Sequence, residues 1–119
     1  MDFARDDQLD KKTLALKEHA QWRGKLEINV KAPMKDQEDL AIAYTPGVAE
    51  PCLEIASDEK LAYTYTGKWN TVAVITDGTA VLGLAGIGPS AAMAVMERKC
   101  ALSKAFANTD ATPLRINPK

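Results

Sequence analysis

Two side chains in this sequence of 119 residues are candidates for proton transfer to or from a substrate. The first is a tyrosine beside a rigid turn. Tyr44 precedes Thr45-Pro46-Gly47. Proline is excluded from a helix interior, and glycine permits backbone angles that other residues avoid. A phenol at this place is either a core residue with a hydrogen-bonded hydroxyl or a general acid, and residue type alone favours the core.

The second side chain is Lys99, which lies in a helix predicted over 89–107. At roughly 100° per residue, Lys99 falls on an apolar face that we expect to be the core face of this helix. That face consists of Ala92, Val95, Leu102 and Phe106. The ammonium group either snorkels to water or is a partly buried amine that acts as a general base.

The neighbours of Lys99 on this helix have different predicted roles. Ser103 lies one turn further on and could exchange a hydrogen bond with Lys99, whereas Arg98 points about 100° away around the helix. The opposite face is predicted to be solvated surface and carries Glu97, Lys104 and Asn108.

A glycine fingerprint precedes the same helix. Gly86-Ile87-Gly88-Pro89-Ser90-Ala91 fits a dinucleotide-binding turn, and Asp110 has the spacing of a ribose-binding carboxylate, so Gly86 and Gly88 are candidate cofactor-binding residues. Three features count against a nucleotide site. The preceding strand is predicted to pair in an antiparallel hairpin, Pro89 removes one amide from the helix start, and the sequence ends before a second β-α-β unit. A tight strand-to-helix loop is the commoner explanation of such glycines.

Composition excludes several classes of protein. The net charge of -1 argues against nucleic-acid binding, and no apolar run reaches the length of about 18 residues that a membrane span needs. The acidic start lacks the layout of a secretory signal, so we expect a cytoplasmic protein that binds neither nucleic acid nor membrane. Cys52 and Cys100 fit no metal-ligand spacing and are predicted to be reduced, buried thiols rather than a disulfide. The lone His19 cannot form a metal site, so no metal ligand is predicted.

Predicted helices and strands must position Tyr44 and Lys99. Further helices are predicted over 10–24, 37–43, 48–56 and 58–63, and strands over 25–31, 71–76, 79–84 and 114–116. Asp77-Gly78 favours a hairpin that joins the second and third of these strands. The predicted fold class is α/β (α+β-like), with helices packed on a small mixed sheet that contains this 71–84 hairpin. We expect a flexible N-terminus over 1–9, one domain over 10–107 and a truncated tail over 108–119.

Four stretches carry a resemblance to a known family: 44–52 (YTPGVAEPC), 74–84 (VITDGTAVLGL), 87–89 (IGP) and 95–99 (VMERK). They resemble the N-terminal domain of bacterial malic enzymes. The resemblance runs from about Leu14 to Phe106 and continues more weakly to Ile116. It departs from the family's usual pattern at Arg98, where glycine is usual, at Ala85-Gly86 in the loop, and at Ala94, where proline is usual.

The resemblance implies oxidative decarboxylation of malate to pyruvate and CO2 with NAD or NADP and a divalent metal, Mg²⁺ or Mn²⁺. It implies that Lys99 takes the proton from the substrate hydroxyl and that Tyr44 protonates the enolpyruvate carbon. It further implies a homodimer. Because the family's metal ligands and nucleotide-binding domain have no counterpart in these 119 residues, we expect a truncated, inactive chain. The alternatives are a non-catalytic dimerisation or interaction fragment and a small nucleotide-binding domain.

Overall fold

A computed structural model of the protein describes residues 3–81, 83 and 86–117. Helices and strands alternate irregularly in this part of the chain, and helices predominate. The helices are α1 (Phe3–Trp22), α2 (Gln37–Ala43), α3 (Ala49–Ser57), α4 (Ala62–Tyr65) and α5 (Pro89–Ala107), and the strands are β1 (Thr71–Thr76) and β2 (Asp110–Arg115). Short 3-10 turns over Glu59–Leu61 and Gly67–Trp69 flank α4. The predicted mixed class of helices with a small sheet is confirmed.

The chain divides into two compact units. The first comprises Met1–Glu27 and Ala73–Lys119, and the second comprises Ile28–Val72. The first unit therefore holds α1, α5, β2 and most of β1, and the second holds α2, α3 and α4.

In the first unit, β1 pairs with β2, and α5 connects them. The Ile116 amide donates a hydrogen bond of 2.8 Å to the Thr76 carbonyl, which joins the carboxyl ends of both strands. The two strands therefore run parallel, and β1, α5 and β2 form a β-α-β unit. Helix α5 packs on β2, and the buried side chains of this unit are Val81, Ala92, Met96, Cys100 and Ala111.

Among the described residues the predicted 71–84 hairpin does not form, because β1 takes β2 as its partner and no strand lies between β1 and α5. The Asp77 carboxylate accepts hydrogen bonds from the amide and hydroxyl of Thr79 and stabilises a local turn of the kind that competes with a hairpin. Gly78 then contacts the start of α5, where its carbonyl accepts from the Gly88 amide at 3.2 Å. Within 79–84, Val81 forms an isolated bridge, and Leu82 and Leu84 lie outside the described residues.

The predicted strand over 25–31 is also wrong. These residues have no regular structure, and Ile28 is 98% exposed. In the described part of the chain this segment pairs with no strand, and it passes from the first unit to the second at Ile28. Helix α1 begins at Phe3 rather than at the predicted Asp10 and ends at Trp22, before the positive φ angles of Arg23 and Gly24.

In the second unit, the helix predicted over 58–63 is instead a 3-10 turn over Glu59–Leu61 followed by α4 at Ala62–Tyr65, whereas α2 and α3 follow their sequence signals closely. Asp36 caps α2, since its carboxylate accepts from the Asp39 amide at 2.9 Å. Pro51 lies in the first turn of α3, where proline is tolerated. At the end of the chain, the strand predicted over 114–116 is longer and begins earlier, at Asp110. No helix in the described part of the chain combines the length and apolarity needed to cross a bilayer.

Candidate functional site

The turn after α2 is built from backbone hydrogen bonds that close around Tyr44. The Tyr44 amide donates to the Leu40 carbonyl at 2.8 Å and ends the helix, and the Tyr44 carbonyl accepts from the Val48 amide at 2.9 Å. The Thr45–Pro46 peptide bond between them is cis. The tyrosine backbone is therefore fixed on both sides, as the sequence predicted.

Gly47 makes this turn possible. Its amide donates to the Ala41 carbonyl at 2.7 Å, so the backbone returns directly onto α2. A Cβ atom at this position would collide with the carbonyl oxygens of Ile42 and Ala41. No residue with a side chain fits without moving the turn, which explains why glycine follows Pro46.

The phenol of Tyr44 is exposed, at 66% of its reference area. The interpretation of Tyr44 as a core residue is therefore wrong. Within the residues that the structure describes, its hydroxyl has no hydrogen-bond partner. The turn fixes the backbone and leaves the phenol accessible, which is compatible with transfer of a proton to a bound molecule.

Lys99 is likewise exposed, and of the predicted core face of α5 only Ala92 is buried. The buried residues of this helix are Ala92, Met96 and Cys100, which recur every fourth position and form one narrow stripe. Phe106, on the predicted core face, is 85% exposed. Lys99 thus lies on an apolar but uncovered face, and its ammonium reaches solvent without snorkelling. The Ser103 hydroxyl donates to the Lys99 carbonyl at 3.0 Å and not to its amine.

Glu97 was predicted to lie on solvated surface, and this prediction is wrong. Its side chain is half-buried, and Oε2 accepts a 3.0 Å hydrogen bond from the Lys25 amide. The Lys25 ammonium also reaches the Ala94 carbonyl at 3.5 Å. A helical wheel could not identify this contact, because it depends on the chain after α1 returning to α5.

The glycine loop before α5 does not have the arrangement of a dinucleotide site. The predicted antiparallel hairpin was one argument against a nucleotide site. This argument does not apply, since β1 and β2 are parallel. However, nucleotides bind at the carboxyl ends of parallel strands, and Asp110 begins β2 at the opposite end, where it pairs with the Lys104 ammonium at 2.8 Å. Gly86 and Gly88 therefore lack the predicted ribose-binding carboxylate beside them.

Neither thiol belongs to a reactive cluster. Both cysteines are free, Cys100 is buried as predicted, and Cys52 is exposed, which corrects the prediction that it is buried. Burial raises the pKa of the Cys100 thiol, and the nearby Glu97 charge raises this pKa further. His19 is exposed, and its Nδ1 lies 2.7 Å from the Ala15 carbonyl of its own helix.

The described residues contain no group of three or more histidine, cysteine, aspartate or glutamate side chains that could hold a metal ion. This part of the chain therefore does not fit the divalent metal that the resemblance implies. Of the two predicted proton-transfer residues, Tyr44 belongs to the second unit and Lys99 to the first.

Comparison with known proteins places these features in a family. Residues 23–119 match the family model described as malic enzyme, N-terminal domain. The bifunctional malic/malolactic enzyme of Bacillus subtilis is 53% identical over 103 residues, which are 87% of this chain and 25% of that protein. The NADP-dependent malic enzyme of Escherichia coli is 47% identical over 112 residues, covering 94% of this chain and 15% of that protein.

Solved structures agree with the sequence comparison. The crystal structure of an NAD-dependent malic enzyme from Thermotoga maritima superposes with a TM-score of 0.84 at 46% identity and covers 87% of this chain and 28% of its own. The malic enzyme of Pyrococcus horikoshii gives a TM-score of 0.77 at 50% identity, over 80% of this chain and 22% of its own. The chain spans a quarter or less of the curated relatives described above. It belongs to the malic enzyme N-terminal domain family.

Proposed function

We infer that this chain is the substrate-side domain of an NAD(P)-dependent malic enzyme, which converts malate to pyruvate and CO2 by oxidative decarboxylation. The observation that carries this proposal is the family match over residues 23–119, which includes both Tyr44 and Lys99. The relatives named as NAD- and NADP-dependent malic enzymes support a nicotinamide cofactor, NAD or NADP.

Lys99 is the proposed general base. In its neutral form, the Nζ atom accepts the proton of the malate hydroxyl on C2. An exposed amine on a fixed helix, with no hydrogen-bond or ion-pair partner in the described part of the chain, is free to approach a substrate. Proton transfer by a positioned side chain contributes about 10² to 10⁴ in rate.

Tyr44 is the proposed general acid. After C2 has been oxidised to a ketone, for which the nicotinamide cofactor would accept the hydride from C2, loss of CO2 from C4 breaks the bond between C3 and C4 and leaves the enolate of pyruvate. The Tyr44 hydroxyl then donates its proton to C3, which completes the methyl group of pyruvate. The fixed turn and the accessible phenol support this role, because the donor must be held near one carbon atom.

The nicotinamide cofactor and a divalent metal, Mg²⁺ or Mn²⁺, would be held by another part of the protein. The described residues hold no metal-ligand cluster, and Asp110, at the start of β2, pairs with Lys104. We therefore expect that the 119-residue chain alone forms no NADH or NADPH from malate, even with manganese present.

A chimera tests the proposal directly. The matching N-terminal segment of the Bacillus subtilis relative, 53% identical to this chain, is replaced by this chain. Production of NADH or NADPH from L-malate is then measured by absorbance. We expect turnover in the chimera and a loss of about 100-fold or more in kcat for Lys99→Ala and for Tyr44→Phe.

The matched controls are Lys104→Ala and Tyr65→Phe, which remove an amine from the same helix and a hydroxyl from another exposed tyrosine. Both controls should retain turnover within about twofold. A chimera that is folded by circular dichroism but inactive would show that this domain cannot perform the chemistry. Equal losses in the control variants would contradict the roles given to Lys99 and Tyr44.

A homodimer built through this domain is a second proposal. Large apolar side chains in both units are exposed, including Phe106 on α5 and Ile42 on α2. Apolar side chains that are exposed next to one another commonly mark a surface that a partner covers. Sedimentation velocity over a range of concentrations should show a growing dimer fraction, and a strict monomer at the highest concentration would rule this proposal out.

A further inference from the structure

Lys99 depends on its helix for its position. Its side chain is exposed, and its amine has no hydrogen bond or ion pair to any residue that the structure describes. A flexible four-carbon side chain without a partner takes its general direction from the helix that carries it. Whatever fixes the rotation of α5 about its own axis therefore also fixes the region that the Lys99 amine can reach.

The apolar contacts of α5 fix this rotation weakly. Its buried side chains are Ala92, Met96 and Cys100. Alanine and cysteine are small and offer little surface to interlock with a neighbouring element, and methionine is unbranched and adapts to irregular gaps. The larger side chains of Leu102 and Phe106 are exposed. A helix held in this way needs a further contact to keep one orientation about its axis.

Lys25 supplies such a contact on another side of α5. Its amide donates to Oε2 of Glu97 at 3.0 Å, and its ammonium reaches the Ala94 carbonyl at 3.5 Å. Ala94 and Glu97 are three positions apart and share one face of the helix, and Glu97 lies about 100° around the helix from Met96. The bond to Glu97 is half-buried and charge-assisted, which makes it one of the stronger kinds of hydrogen bond. It therefore holds α5 on a face outside the buried stripe.

We propose that Glu97 is a positioning residue for Lys99. This role rests on the proposed function, in which Lys99 is the general base. Lys99 follows Glu97 by two residues, about 3 Å along the helix axis and about 200° around it. The hydrogen bond that holds one side of α5 therefore directs the opposite side, which carries the Lys99 amine. A displacement of about 1 Å at a reacting group can lower the rate about 100-fold. Loss of the bond should thus lower kcat although Glu97 touches no substrate.

A double-mutant cycle in the chimera with the Bacillus subtilis relative tests this role. Glu97→Ala should lower kcat for L-malate by about 10- to 100-fold when Lys99 is present. In the Lys99→Ala background, the same replacement should change kcat by less than about twofold, because no base remains to be displaced. A loss of folded protein would instead lower kcat by the same factor in both backgrounds. Glu97→Gln keeps an acceptor oxygen for the Lys25 amide and should retain kcat within about fivefold.

Lys104→Ala is the matched control, since it removes the 2.8 Å ion pair between α5 and Asp110 and should leave kcat unchanged within about twofold. Circular dichroism should show that each variant is folded. If Glu97→Ala is not folded, Glu97→Asp replaces it in the cycle, because it keeps the charge and withdraws the acceptor by about 1.5 Å.

Two sets of outcomes separate this role from the proposed function. Equal losses in both Lys99 backgrounds, or no loss when Lys99 is present, would overturn the positioning role and leave Lys99 as the general base. If Lys99→Ala keeps full kcat, or if the folded chimera has no turnover, the proposed function fails and the role of Glu97 fails with it.

Discussion

The Lys25 amide donates a 3.0 Å hydrogen bond to Oε2 of Glu97, a residue 72 positions further along the chain. Gly24, with a φ angle of +114°, brings the backbone to this carboxylate, and a Cβ atom there would lie 3.5 Å from Oε2. The contact joins the end of α1 to α5 one half-turn before Lys99. It makes Glu97 a structural anchor of the first unit.

Replacing Glu97 by alanine should destabilise the protein. Hydrogen bonds to charged groups contribute about 1.5–3 kcal/mol, and a half-buried amide would lose its partner. We expect Glu97→Ala to lower the free energy of unfolding by about 2 kcal/mol, measured by urea denaturation. Glu97→Gln should lose less, since its amide oxygen still accepts. The control Glu54→Ala, at an exposed position of α3, should change stability by less than about 0.5 kcal/mol. Equal effects of Glu97→Ala and Glu54→Ala would contradict the anchor.

Gly78 should tolerate no side chain. Its φ angle is +75°, and a Cβ atom would collide with the backbone of Gly88 where the loop meets α5. Gly83 has a similar φ of +79°, but a Cβ atom added at Gly83 would meet no other atom within 4 Å. Gly83→Ala therefore carries only the conformational cost, about 1 kcal/mol, whereas Gly78→Ala adds a backbone clash and should cost at least about 2 kcal/mol. Thermal denaturation of both variants measures the difference in stability. Similar melting temperatures would contradict the close contact between Gly78 and Gly88.

The two thiols should react at clearly different rates. Cys52 is exposed, whereas Cys100 is buried, and its burial and the Glu97 charge raise its pKa. Because the thiolate is the reactive form, Cys100 should react with Ellman's reagent at least about tenfold more slowly than Cys52 in the folded protein. In Cys52→Ser the fast phase should disappear, and denaturant should abolish the slow phase. Two equal rates in the folded chain would contradict the buried position of Cys100.

Asp77 should make stability depend on pH in the acid range. The Thr79 hydroxyl, followed by the Thr79 amide, lowers the pKa of this carboxyl below its ordinary value of 3.8. A lowered pKa in the folded state means that the carboxylate stabilises the fold above pH 3.8, and that this contribution disappears as pH falls through the lowered value. The melting temperature of Thr79→Val, which lacks the hydroxyl donor, should therefore fall less steeply on acidification than that of the unmodified protein. Parallel pH profiles for the two proteins would exclude this role of Thr79.

Local signals predicted α2 and α3 well. Asp36, Pro46, Gly47 and Pro51 act on their immediate neighbours, so the bounds of α2 and α3 follow from capping and turn chemistry. The same holds for α5, which begins at Pro89 and ends where Asn108 adopts a left-handed conformation. The family resemblance also rests on local motifs, and it is confirmed by the match over 23–119.

Long-range pairing could not be predicted in this way. The alternation over 25–31 and the Asp77-Gly78 turn both favour strands, but a strand also needs a partner strand. The partner of β1 is β2, which follows it in sequence only after α5. A helical wheel gives the angle of Lys99 and cannot tell which stripe of α5 the sheet covers. The exposure of Tyr44 likewise depends on what surrounds the turn and not on the turn itself.

The sequence by itself determined the family, the ends of α2, α3 and α5 to within about one residue, and the identities of the two proton-transfer candidates, because motifs, caps and prolines act within a few residues. Only the tertiary structure decided the parallel pairing of β1 with β2, the exposed face of Lys99 and the contact between Glu97 and Lys25. These features depend on contacts between segments far apart in the chain. Residue types along one segment do not specify which distant segment will cover it.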